Sequence, residues 1–134
     1  ILALAHDVFV TVGLLSVLDK EVTITVVAAL LTIAGYSIND TIVIFDRMRE
    51  KMRFLRTEPL SDIINASLNE TLSRTIITSL TVLLVVLALF FFGGAVIHDF
   101  ALCMVWGVLV GCYSTMAIAA PMVFEWERIH TRKK

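Results

Sequence analysis

A carboxylate inside an apolar run is the first group in this chain that could do chemistry. Within GYSINDTIVIFDR, residues 35–47, the polar residues Asn39, Asp40, Asp46 and Arg47 close a long hydrophobic stretch. On a helix Tyr36 and Asp40 lie one above the other, four apart. Thr25, Thr32, Asn39 and Asp46 recur every seven residues and trace a polar stripe beside them. Asp40 stands six positions, ~9 Å of rise, inside Asp46, too deep for a short side chain to reach the headgroups comfortably. A charged Asp at mid-span costs ~2.5–3.5 kcal/mol on insertion scales. Residues of this kind usually face a bundle interior, and they often mark ion or proton pathways.

The natural counter-charge is Arg74, at the start of the next apolar run. Thr71, Arg74, Thr78 and Thr81 share a helical face, with Thr75 on its flank. Two antiparallel spans would bring the polar halves of both runs together, so an Asp40–Arg74 pair is geometrically reasonable. The alternative has Arg74 reaching lipid phosphate and Asp40 protonated and hydrogen-bonded; spacing alone leaves both open. Tyr36, Asn39 and Thr78 are the expected hydrogen-bonding neighbours of Asp40, with Asp46 and Arg47 at the membrane boundary.

Other candidates carry less. His6 and Asp7 are adjacent, so their side chains diverge by about 100° on a helix and make a poor metal pair; a supporting or interfacial role is expected. Gly107 and Gly111 form a G-x-x-x-G in GVLVG, in register with Cys103 and Thr115, which predicts a close-packing face for another helix. Cys103 and Cys112 lie nine residues apart, ~13.5 Å along a helix, so they cannot pair within one. There is no Gly-rich phosphate loop, nucleophile–base arrangement or zinc-type Cys/His spacing. The expectation is a protein that is not an enzyme, with no metal and no cofactor.

Composition supplies the elements that must position these groups. Hydrophobic residues make up 58% of the 134 and charged ones 17%, with mean hydropathy +0.89; soluble domains average ~45–50% and ~25%. A net charge of −1 gives no reason to expect nucleic acid as a partner. The chain reads as an all-α integral membrane protein. Four runs approach the ~20 apolar residues a spanning helix needs: 1–18, 22–45, 74–92 and 96–120, the last ending at Pro121. The chain starts at Ile1 with no signal-peptide pattern, which reads as a fragment beginning inside or just before the first helix.

Basic residues cluster in the 46–73 connection (Arg47, Arg49, Lys51, Arg53, Arg56) and in the 121–134 tail (Arg128, Arg132, Lys133, Lys134). The positive-inside rule puts both on the cytoplasmic side of the membrane. Within the connection, Arg49, Arg53 and Arg56 oppose Met48, Met52 and Leu55, the pattern of an amphipathic helix that continues the second span and lies along the inner membrane surface. Thr57-Glu58-Pro59 breaks it, and Leu60–Leu72 reads as a second short helix. The pair is either a basic loop resting on anionic lipid headgroups or a lever joining spans two and three.

The order of motifs resembles a known family. GYSINDTIVIFDRMRE, then TLSRTIITSLT, then FFGG, preceded by ALAHDVFVTVG and VVAALLTIAGYS, is similar over nearly the whole chain to the C-terminal membrane region of the SecD/SecF family. The family is part of the RND superfamily, and the GYS-x-NDT form resembles its SecF branch more than its SecD branch. The resemblance implies four helices forming half of an RND-type membrane domain in the cell inner membrane. It implies a role in moving secreted precursor proteins through the SecYEG channel, with SecD and YajC as further partners and protons as the coupling ion. The family's intramembrane acidic residue falls on Asp40 and its membrane arginine on Arg74. Two rival readings are a small-molecule proton antiporter of the same superfamily and a scaffold that transports nothing.

Overall fold

The most apolar side chains of this chain point outward and many of its polar ones point inward, as a lipid solvent requires. The computed structural model describes residues 1–131. Its helices are α1 (Leu2–Val17), α2 (Ile24–Phe54), α3 (Leu60–Phe92), α4 (Gly94–Ser114), a π-helical turn (Thr115–Ala119) and α5 (Ala120–Thr131). Phe9, Leu31, Leu80, Leu84, Val85, Phe91 and Leu109 are exposed, whereas Asp7, Thr11, Ser37, Asp40, Thr75, Ser114 and Thr115 are buried. In water that arrangement would be unstable; in hydrocarbon it leaves the apolar surface solvated and pairs most polar groups inside.

The expected count of four spans is met only in part. Three helical stretches are long and apolar enough to cross a membrane: Ile24–Phe54, Leu60–Phe92 and Gly94–His130. The fourth, Leu2–Val17, is apolar but shorter; its 16 residues rise only ~24 Å.

Two further expectations are corrected. The 46–73 connection holds no separate second helix, while its first arm continues span two as expected. α2 runs unbroken for 31 residues, ~46 Å, against a ~30 Å hydrocarbon core. No Gly or Pro interrupts 46–54, so the helix continues as one rod. The turn falls at 55–59, where Pro59 disfavours helical backbone at the residue before it, and Leu60–Leu72 becomes the first turns of α3. These extensions do not splay apart. Ile44, Met48 and Ile64 bury a core with Ala120, against which Leu60, Leu68, Val123 and Phe124 pack. Pro121, read as the end of the last span, does not end the helix. Proline removes one backbone donor and crowds the carbonyl four residues back; the π-helical turn just before it shifts the hydrogen-bond register, and helix resumes through Thr131. The basic residues Arg132, Lys133 and Lys134 lie outside the described residues.

α4 is the hub, packing against α1, α2 and α3. Its buried face is Ala101, Cys103, Met104, Gly107, Val108, Gly111 and Ser114, mostly small side chains. Lipid tails are as apolar as Leu, so helices associate in membranes by close packing. Gly107 supplies that closeness: a Cβ there would fall 2.3 Å from Cδ1 of Ile33 on α2. At the opposite end α3 and α4 meet in a tight turn, where Gly94 adopts φ +74°, a conformation that favours glycine. Lys20, after α1, pairs with Asp99 of α4 at 3.0 Å, so Asp99 ties these turns together.

Gly107→Ala is expected to push α2 from α4 and destabilise the fold by ~1–3 kcal/mol, the usual cost of overpacking. Gly111→Ala should cost less, because its new Cβ meets nothing closer than Asp7 at 3.8 Å. Unfolding titrations in mixed micelles compare the two, and trimming Ile33→Ala should offset the Gly107 substitution.

Candidate functional site

The buried face of α2 follows Val26, Ala29, Ile33, Ser37, Asp40, Ile44 and Met48, the three-and-four spacing of a core stripe. Asp40 therefore occupies a core position. It is 5% exposed, and its Oδ2 is buried without a hydrogen-bond partner. Leaving such an atom unpaired is costly, and native structures satisfy nearly all of them. α3 adds buried Ser67, Thr71 and Thr75 to the interior. Thr71 bonds the carbonyl oxygen of Ser67 at 2.8 Å, so its hydroxyl hydrogen is already committed.

The seven-residue stripe read from the sequence lies beside this face rather than on it, since a core stripe advances by about 3.6 residues per turn. Asn39 is exposed. Tyr36 bonds Ser79 of α3 through its hydroxyl at 2.7 Å, and Thr78 donates to the carbonyl of Arg74 at 2.8 Å. None of these three hydrogen-bonds to Asp40 here. Arg74 is exposed and near enough for its charge to act on Asp40, yet the two form no ion pair among the described residues. The structure thus brings the two groups into one region without joining them.

Arg74 instead lines a cleft of about 370 Å³ between α2 and α3, with Val43, Asp46, Arg47, Glu50, Glu70 and Thr71. One rim of the cleft is an ion network. Arg47 Nε donates to Glu70 at 2.7 Å, and Lys51 and Glu50 join through further ion pairs to Glu70 and Arg47. Arg47 is therefore committed to Glu70 and Glu50, while Asp46 remains on the cleft wall. Glu70 was not among the residues the sequence singled out, and Lys51 entered only as one of a basic cluster. The signal was present: Arg47 and Glu70 stand at similar distances on either side of Thr57-Glu58-Pro59, which an antiparallel hairpin brings opposite one another.

A second polar centre joins α1 to α2. Asp7 is fully buried; its Oδ2 accepts from Ser37 Oγ at 2.6 Å, and its Oδ1 lies 3.2 Å from His6 Nδ1. Gly111 of α4 leaves room beside that carboxylate. Gly35, by contrast, meets nothing where a Cβ would stand, so the contact of this stretch with α1 rests on Ser37.

Comparison with known proteins settles the family. The model described as "Protein export membrane protein SecD/SecF, C-terminal" matches residues 1–129. This chain belongs to the SecD/SecF family. Among relatives, the protein translocase subunit SecF of Koribacter versatilis is 51% identical over 127 residues, covering 95% of this chain and 31% of that protein. The SecF of Calditerrivibrio nitroreducens is 55% identical over 126 residues, 92% of this chain and 41% of its own length. The SecDF of Thermus thermophilus is 51% identical over 127 residues, 95% of this chain and 17% of that protein. A crystal structure of SecDF in a super-membrane-facing form superposes with TM-score 0.94 at 48% identity, covering 98% of this chain and 18% of that one. The chain thus spans less than half the length of these SecD/SecF relatives.

The ion network yields a direct check. Glu70→Ala should free Lys51, leave Arg47 paired with Glu50 alone and loosen the 55–59 turn, so limited trypsin cleavage at Arg53 and Arg56 should accelerate. High salt should do the same to the unsubstituted protein, because exposed pairs are screened. Equal cleavage rates in all three conditions would show that the network does not hold the hairpin.

Proposed function

We propose that this chain is part of the membrane domain of a SecF-type subunit. With SecD, it would use the proton motive force to assist passage of secreted precursors through the SecYEG channel. YajC and membrane lipids complete the expected surroundings. The protein lies in the cell inner membrane with the 55–59 turn and α5 on the cytoplasmic side. α1 serves as the fourth crossing in the full-length protein.

One observation carries the mechanism: a buried carboxylate oxygen without a partner, on a core stripe, beside an arginine that does not touch it. A proton on Asp40 neutralises the carboxyl group and lets Arg74 stay in the cleft. When the proton leaves, the carboxylate attracts Arg74 and draws α3 against α2. The two charge states thus favour two packings, which is what coupling demands of a two-state element. Each proton crossing 100 mV releases ~2.3 kcal/mol, the scale needed to bias a two-state equilibrium. The cleft gives Asp46, Arg47 and Glu70 a place along the proton's route on the cytoplasmic side.

Asp40→Asn mimics the protonated form permanently. In full-length protein reconstituted with SecD and the channel, it should abolish the gradient-dependent part of export while leaving the complex assembled. A normal gradient response would remove Asp40 from the mechanism. The scaffold reading makes a different demand: Asp40→Asn with Arg74→Gln should then export normally.

A further inference from the structure

The buried stripe of α1 is Ala3, Asp7, Thr11 and Leu15, and only Leu15 brings a large apolar side chain into the main core. So short a helix with so little apolar grip needs a directional contact. Asp7 provides it. The 2.6 Å bond from Ser37 is one of the few hydrogen bonds between helices in the interior, joined by a 3.5 Å contact from Ser114 Oγ to the Ala3 carbonyl. Thr11 caps the arrangement by donating to the backbone carbonyl of Asp7 at 2.8 Å, while Gly111 leaves the carboxylate its space. Three helices converge on one side chain.

Ser37 stands three residues before Asp40 on the same buried stripe. The rotation of α2 that seats Ser37 against Asp7 is therefore the rotation that turns Asp40 inward. A turn of about 100° about the helix axis, one residue's worth, would move Asp40 to the exposed side that Asn39 now occupies. Apolar contacts above and below, at Ile33 and Ile44, set which face of α2 meets the core but not its exact rotation, because they are not directional. A hydrogen bond is directional. We propose that Asp7 is a positioning residue for Asp40, acting through Ser37 to lock the rotation of α2.

The inference concerns the placement of Asp40, so it stands apart from the proton reading, although its consequence for export rests on that reading. The test uses full-length protein in its complex, with Cys103→Ser and Cys112→Ser and a reporter thiol from Asp40→Cys. With Asp7 and Ser37 intact, the reporter should label slowly with a small maleimide. Ser37→Ala and Asp7→Leu should each raise labelling about fivefold, the population change that one lost buried hydrogen bond supplies. Asp7→Asn, which keeps an acceptor oxygen, and Ser37→Thr, which keeps the hydroxyl, should restore slow labelling. Unchanged labelling in Ser37→Ala, or equal increases in Asp7→Leu and Asp7→Asn, would overturn the proposal.

A second arm leaves Asp40 in place and follows export against external pH. Ser37→Ala should shift the profile, whereas a general loss of folded protein would lower its height alone. If Asp40→Asn exports normally but the labelling pattern holds, the proton reading fails and the positioning role survives.

Discussion

Close approach to α4 is the constraint on which the rest of this structure depends. Helices in lipid gain nothing by hiding apolar surface from one another, so association rests on contact distance and on polar links. The small residues of α4 let α2 come close enough for Ile33 to fill the space over Gly107, and they leave Asp7 its niche beside Gly111. Once α2 is seated on α4, its stripe turns Ser37 and Asp40 inward. A bulkier α4 would part these helices, and the carboxylates would lose the environment that makes them interesting.

The two buried carboxylates have been treated oppositely by the fold. Asp7 is fully buried and engaged from Ser37 and His6. Asp40 is nearly as buried, but one of its oxygens has no partner. A structural acid is expected to be satisfied, because an unmet buried acceptor costs stability with no return. An acid that must change its charge in service cannot be fully committed to one set of partners. The contrast between these neighbours along one junction is the strongest physical argument for giving Asp40 the active role and Asp7 the supporting one.

Much of this was legible in the sequence, for identifiable reasons. Long apolar runs and clustered arginines marked the helices and the turn at 55–59, because lipid imposes a length and proline imposes a break. Asp40 stood out because a carboxylate in an apolar run demands explanation, and the G-x-x-x-G announced its packing face. Three features were misread. The joining of 60–72 to the third span was hidden by its polar residues, although backbone geometry does not register that change. Pro121 was read as a stop, since nothing local reveals that a π-helical turn will absorb it. The role of Asn39 was overestimated because a seven-residue repeat drifts off a stripe that advances 3.6 residues per turn. The ion network at Glu70 is a property of the hairpin, invisible until both arms are known.

The central claim is that the carboxyl group of Asp40 binds and releases a proton within the membrane. Infrared difference spectroscopy of the full-length complex, triggered by a pH jump, measures this directly through the carbonyl stretch of a protonated carboxylic acid. A band present in the unsubstituted protein and absent from Asp40→Asn, with the Asp7→Asn variant retaining it, is the expected result. Identical difference spectra for the unsubstituted protein and Asp40→Asn would contradict the claim, and would leave Asp40 a structural acid that the fold fails to satisfy.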